Sequence, residues 1–145
     1  MIDNATRASL LVRALRASIT GDSDAIESLY TSDVQAWSPW LTAGSAEDLA
    51  AEFERRDGTF SDIELDVAPL DVGGDFACAE WTVTMTHSGA LALPDGGVVE
   101  PTGAHVTLNG VTVAEFQGDR ICAFRQYCDE LTILEQLGLP ADSPG

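Results

Sequence analysis

FQGDRICAFRQYCDELTILEQLGL, residues 116–139, reads as a turn, a strand and a closing helix. Gln117, Gly118 and Asp119 make the turn, and Ile121 to Cys128 the strand. Asp129 then opens a helix whose Leu131, Leu134 and Leu137 recur on one side, and Gly138 with the Pro140 beyond it ends it. Arg125, Gln126, Tyr127 and Asp129 thus fall where strand gives way to helix, a junction at which polar groups can face a cavity.

Working back from this segment, the strand of residues 104–116 is weakly patterned, and Gly110 inside it points to a bulge or a bend. LALPDGGVVEPTG, residues 91–103, suits a long hairpin excursion able to act as a lid. Trp81, Val83 and Met85 alternate with Glu80, Thr82, Thr84 and Thr86, so one face is apolar and the other Thr-rich. Ile63, Leu65 and Val67 alternate likewise, and DVGGD turns the chain between the two strands. Before Gly58 the period is helical. Leu11, Ala14, Leu15 and Ile19 form the inner stripe of a helix capped by Asp3 or Asn4 and ended at Gly21. A second helix covers residues 22–30, a strand carries Trp37 and Trp40 around Pro39, and a third helix starts at Ser45 with Leu49 and Phe53 inward. Helices followed by antiparallel strands define an α+β chain with helices packed on one side of a sheet.

Composition narrows the partners. At 145 residues and 45% hydrophobic content the chain can bury one core, expected over residues 1–139, with 140–145 a disordered tail. Twenty-four acidic against seven basic residues give −17, a field that repels nucleic acid and anionic membranes. No apolar run suits a signal segment or a bilayer span, so a soluble cytoplasmic protein is expected. All basic residues are arginine, which excludes lysine Schiff bases and the P-loop lysine. Cys78, Cys122 and Cys128 lack metal or disulfide spacing and read as reduced, buried thiols, and no metal site is expected.

GDSDAIESLYTSDVQAW, residues 21–37, and VAEFQGDRICAFRQYCDELTILEQLGL, residues 113–139, resemble the helix-to-first-strand segment and the closing strand of the NTF2-like superfamily, in its SnoaL-like polyketide cyclase branch. The resemblance implies a cone: a strongly curved antiparallel sheet with helices closing an internal pocket. It implies further a cofactor-free acid/base enzyme of secondary metabolism acting on a hydrophobic, polyketide-like molecule by cyclisation, isomerisation or related proton transfer, and a homodimer. The same fold also serves as a non-catalytic ligand cup or dimerisation module. Epoxide-opening cyclisation is a third option. The limonene-epoxide-hydrolase triad is absent, because AEWTVT places Trp81 and Val83, and FRQYCD places Gln126, where that branch has its charged residues.

By the resemblance, Asp129 matches the buried acid/base of the cyclases. Its position before an apolar-periodic helix equally makes it an N-cap. Gln126 shares strand parity with Phe124 and can orient a carbonyl or satisfy backbone. His87 and His105 are the two imidazoles and candidate proton shuttles; His87 has inward parity, and strand pairing can bring the two together. Tyr30, Trp37, Trp40, Phe53, Trp81, Met85 and Phe124 are the expected aromatic and thioether wall of the substrate site.

Overall fold

The computed structural model describes residues 2–39, 41–93, 96–129 and 131–138; Trp40 and the expected tail 140–145 lie outside them. Among the described residues, four α-helices and eight strands run in the order α1 (Asn4–Thr20), α2 (Ile26–Leu29), β1 (Tyr30–Ser38), β2 (Leu41–Ala43), α3 (Ala46–Arg56), β3 (Phe60–Leu70), β4 (Phe76–His87), β5 (Leu91–Ala92), β6 (Val98–Val99), β7 (His105–Gln117), β8 (Arg120–Cys128) and α4 (Leu131–Gln136). Residues 22–30, expected as one helix, instead form a 3-10 turn over Ser23–Ala25 and the single turn of α2, and Tyr30 already belongs to β1.

The caps explain where the long helices begin and end. Asp3 accepts the Thr6 amide at 2.8 Å and Ser45 the Asp48 amide at 3.0 Å, contacts of about 1 kcal/mol each. Gly21 stops α1 at φ +76°, and a Cβ there would lie 2.7 Å from the Phe53 carbonyl oxygen, so only glycine fits between α1 and α3. In α3, Leu49 and Phe53 face the core and are 1% exposed.

Six strands form one open, curved sheet in the order β2-β1-β8-β7-β4-β3, and β5 and β6 make a separate hairpin. Its pairings are antiparallel except β1 with β8, which run parallel and are far apart in the chain, with no hairpin joining them. Near the start of β3 the register slips between Ser61 and Glu64, where Asp62 takes φ +51°, a left-handed conformation that aspartate tolerates; this bulge bends the strand.

The inner face of the sheet carries Ala79, Trp81, Val83 and Met85 from β4, Val106 and Leu108 from β7, and Phe124 and Gln126 from β8, all buried. Helices α1 and α3 pack over it. Gly110 marks no bulge: it pairs with Trp81, and a Cβ at 110 would sit 2.4 Å from Trp81 Cζ2, so the missing side chain makes room for the indole. Thr112, next inward along β7, is fully buried and accepts the Trp81 Nε1–H at 2.9 Å. Helix α4 is fastened to β7 where β8 has ended. The Gln136 side-chain amide donates to the Thr107 carbonyl at 2.8 Å and accepts the Thr107 N–H at 2.7 Å, as a neighbouring strand would. Ile133 and Leu137 of this segment turn inward; Leu131, expected inward, is 47% exposed.

Cys78, Cys122 and Cys128 are half-buried rather than fully buried, and burial together with Glu115 pushes the Cys122 thiol up. No helix among the described residues is long and apolar enough to cross a membrane.

Candidate functional site

A cavity of about 280 Å³ opens between the inner sheet face and its helical cover. Trp81, Val83, Met85 and Leu108 give its apolar floor, with Ile133 from α4 and Leu91 from the β5–β6 hairpin closing the sides. Ser18 of α1 and Thr59 contribute hydroxyls already committed to backbone, Ser18 to the Leu15 carbonyl at 2.8 Å and Thr59 to the Ala90 carbonyl at 3.1 Å. Gln126 is the polar group of the floor: it is 7% exposed, and its Oε1 is buried with no hydrogen-bond donor among the described residues. An acceptor in that condition is costly to keep and is open to a donor.

The wall supplied by α3 is charged. Glu52, Arg55 and Arg56 line the cavity, and Arg55 Nη1 donates to both Glu52 oxygens, at 3.0 and 3.1 Å. Glu52 is the sole carboxylate among the described lining residues. None of these three stood among the expected site residues. The signal was present: the 3.6-residue period that turns Leu49 and Phe53 inward carries Glu52 and Arg56 on the flank of the same stripe.

The structure brings Gln126, Trp81 and Met85 together on the cavity wall and, of the expected residues it describes, places the rest elsewhere. Asp129 is exposed; its Oδ1 accepts the Leu131 amide at 3.2 Å and its carbonyl accepts the Thr132 hydroxyl at 2.8 Å, so the expectation of a carboxylate reaching into the chamber is corrected to a surface helix cap. His105 is exposed on the outer sheet face. It pairs in register with Thr86, whose hydroxyl lies 3.1 Å from His105 Nδ1, and so points away from His87. Trp37 is also on the outside, 42% exposed and packed at a tilt against Tyr127 with centroids 5.4 Å apart, because its parity on β1 is opposite to that of buried Val34, Ala36 and Ser38. Tyr30, Phe53 and Phe124 are core: the Tyr30 and Phe124 rings meet edge to face at 5.9 Å, and burial pushes the Tyr30 hydroxyl far above its usual range.

His87 is inward and fully buried, behind the cavity-lining Phe60, whose ring centroid lies 5.8 Å from its own. The Thr102 amide donates to its Nδ1 at 3.2 Å, and the Thr102 hydroxyl lies 3.0 Å from the same atom. Nδ1 is therefore an acceptor and the ring is the neutral Nε2–H tautomer. Burial lowers the His87 pKa below the ordinary 6.5, and a contact with the Gly89 backbone offsets part of that. Because the folded state binds the proton more weakly than the unfolded chain, stability is complete above pH 6.5 and declines as pH falls below it. Thermal unfolding should show a midpoint that drops from pH 7 to pH 5 more steeply in the parent chain than in His87→Asn, which keeps an acceptor for Thr102 but does not titrate. Parallel slopes would remove His87 from the account.

No group of three or more His, Cys, Asp or Glu that could hold a metal occurs among the described residues. No curated protein sequence matches the chain. Solved structures match most of its length. TsrD of Streptomyces laurentii superposes with a TM-score of 0.77 at 21% identity, covering 97% of this chain and 100% of that one. AclR of Streptomyces galilaeus gives 0.75 at 25% identity over 95% and 100%. IdmH of Streptomyces antibioticus, a candidate polyketide cyclase, gives 0.71 at 20% identity over 92% and 99%. The family model for the SnoaL-like domain matches residues 11–124, a span that holds the inner sheet face up to Phe124, the hairpin and the charged helix just described. An open curved sheet, an apolar chamber under three helices and this match together place the chain in the SnoaL-like family of the NTF2-like fold.

Proposed function

We propose that this protein is an acid/base enzyme acting on a hydrophobic, polyketide-like small molecule by cyclisation, isomerisation or a related proton transfer, with Glu52 as the proton acceptor. The observation that carries the reading is the cavity wall itself, apolar except for one carboxylate, its two arginine neighbours, two hydroxyls and the Gln126 amide. Arg55 takes one acceptor site on each Glu52 oxygen, which leaves lone pairs for a substrate proton while the carboxylate is held in place. Gln126 orients the substrate through its unsatisfied Oε1. Membership in the SnoaL-like family and a fold shared with a candidate polyketide cyclase support this class of reaction.

A non-catalytic ligand cup is the second reading, favoured by the absence of any histidine or aspartate from the described lining. The epoxide-opening alternative required Asp129 and the histidines around one chamber, and their positions remove its support. Turnover of a substrate identified by screening separates enzyme from cup: Glu52→Gln should lose the activity and Asp129→Asn should keep it.

Dimerisation belongs to the same proposal. The outer sheet face presents Thr84, Asn109, and the exposed Trp37–Tyr127 pair, a surface suited to self-pairing. Light scattering should read a mass about twice 15.3 kDa, and a monomer at micromolar concentration would end this part of the reading.

A further inference from the structure

Hydrogen bonding along the chamber wall is one-sided. Of the neutral side chains described there, Ser18 has given its hydroxyl proton to the Leu15 carbonyl, Thr59 its own to the Ala90 carbonyl, and Trp81 its indole N–H to Thr112. The two arginines are engaged as well, Arg55 with Glu52. Acceptors are what remain. Each hydroxyl oxygen keeps lone pairs once its proton is placed, and Gln126 Oε1 has no donor at all among the described residues. Thr112 stands opposite Gln126 in the β7–β8 register, yet its hydroxyl serves the indole and leaves Oε1 unmet. On the neutral donor side the wall keeps only the amide nitrogen of Gln126 itself.

We infer that the ligand of this chamber carries a hydroxyl group on its apolar body and is seated by donating that hydrogen to Gln126 Oε1, which makes Gln126 the residue that selects for a donor. This rests on the reading of the chamber as the substrate site and adds the group the substrate must bring. Gln126 shares the floor with Trp81, Val83, Met85 and Leu108, so a hydrogen bond made there forms out of water, where it is strongest. A ligand that fills the chamber also excludes water, and only its own hydrogen can then meet the oxygen; the terminal torsion of a glutamine is broad and lets the amide turn to it. A molecule with a methyl or an ether in place of the hydroxyl leaves Oε1 buried and unpaired, a penalty that a wholly apolar pocket would not impose. The lone pairs of Ser18 and Thr59 accept further hydroxyl hydrogens, whereas a ligand bearing carbonyls alone finds the Gln126 N–H as its neutral partner.

Three fluorescent probes of one ring skeleton test this on the full chain at pH 7, where a phenol is un-ionised: 2-naphthol, 2-methylnaphthalene, which matches it in size without the hydroxyl, and 2-methoxynaphthalene, which keeps the oxygen and lacks the hydrogen. Burial alone favours the two more apolar probes. The parent chain should nonetheless bind 2-naphthol about tenfold tighter than either or more. Gln126→Met, of similar length and apolar, should bring 2-naphthol to within about twofold of 2-methylnaphthalene without weakening the latter. Equal or weaker binding of 2-naphthol by the parent chain overturns the inference, and that comparison needs no variant to fold. Equal affinity for 2-naphthol and 2-methoxynaphthalene overturns it too, because the ligand oxygen would then be accepting from the Gln126 N–H. So does a preference for 2-naphthol that survives Gln126→Met. Those outcomes leave the chamber standing as a binding site, whereas binding of none of the three probes removes the chamber reading as well.

Discussion

Replacing Glu52 by glutamine is expected to cut turnover of a cavity substrate by about 10²- to 10⁴-fold, the usual contribution of a positioned general base. The fold should hardly notice. Glu52 and Arg55 form a pair at a partly solvated rim, worth less than about 1 kcal/mol, and the glutamine oxygen still accepts from Arg55. Asp129→Asn is the matched control, since asparagine caps a helix as well as aspartate does and residue 129 lies on the surface. The expected pair of results is a rate lost at 52 and kept at 129, with equal melting temperatures. A Glu52→Gln protein with full activity would sink the assignment, and a rate lost only at Asp129 would return the chemistry to the strand–helix junction.

Gly110→Ala should be the most destabilising single-methyl addition in the sheet. Its Cβ would lie 2.4 Å from Trp81 Cζ2 and 2.8 Å from Cε2, and the indole cannot retreat without breaking its buried bond to Thr112. Overpacking costs about 1–3 kcal/mol and a stranded indole N–H about as much again, so a fall of about 2–6 kcal/mol is expected, on the order of 10 °C in melting temperature. Trp81→Phe relieves the crowding and needs no acceptor. The double variant should therefore lose much less than the two single losses added together, a coupling that a double-mutant cycle reads directly. Strict additivity would show that Gly110 has another reason to be glycine.

The same trio explains why β7 was hard to read in the sequence. Its inward positions run Val106, Leu108, Gly110, Thr112, Ala114, and the glycine and threonine break an otherwise apolar alternation. Both exceptions serve Trp81 from the next strand, so the irregularity is tertiary and invisible to a local pattern. Where packing on one neighbour sufficed, as in β4 with Trp81, Val83 and Met85 or at the caps Asp3 and Ser45, the residues announced their own structure. Asp129 misled for a different reason. The alternation that aims strand side chains stops at Cys128, and from there the first turn of α4, not strand parity, sets the direction. The histidines depended on register across a seventeen-residue connection, from Ser88 to Ala104, which no local pattern reports. Glu52, by contrast, was legible: it sits beside the inward stripe of α3, where a charged side chain borders the chamber.

Gln136 has a bearing on solubility. Where β8 stops short, β7 would display a bare peptide margin, the kind of margin onto which another molecule's extended segment can zip. A single carboxamide occupies the Thr107 donor and acceptor there, so a truncation removing α4 would expose a template for fibrous association as well as empty one side of the chamber.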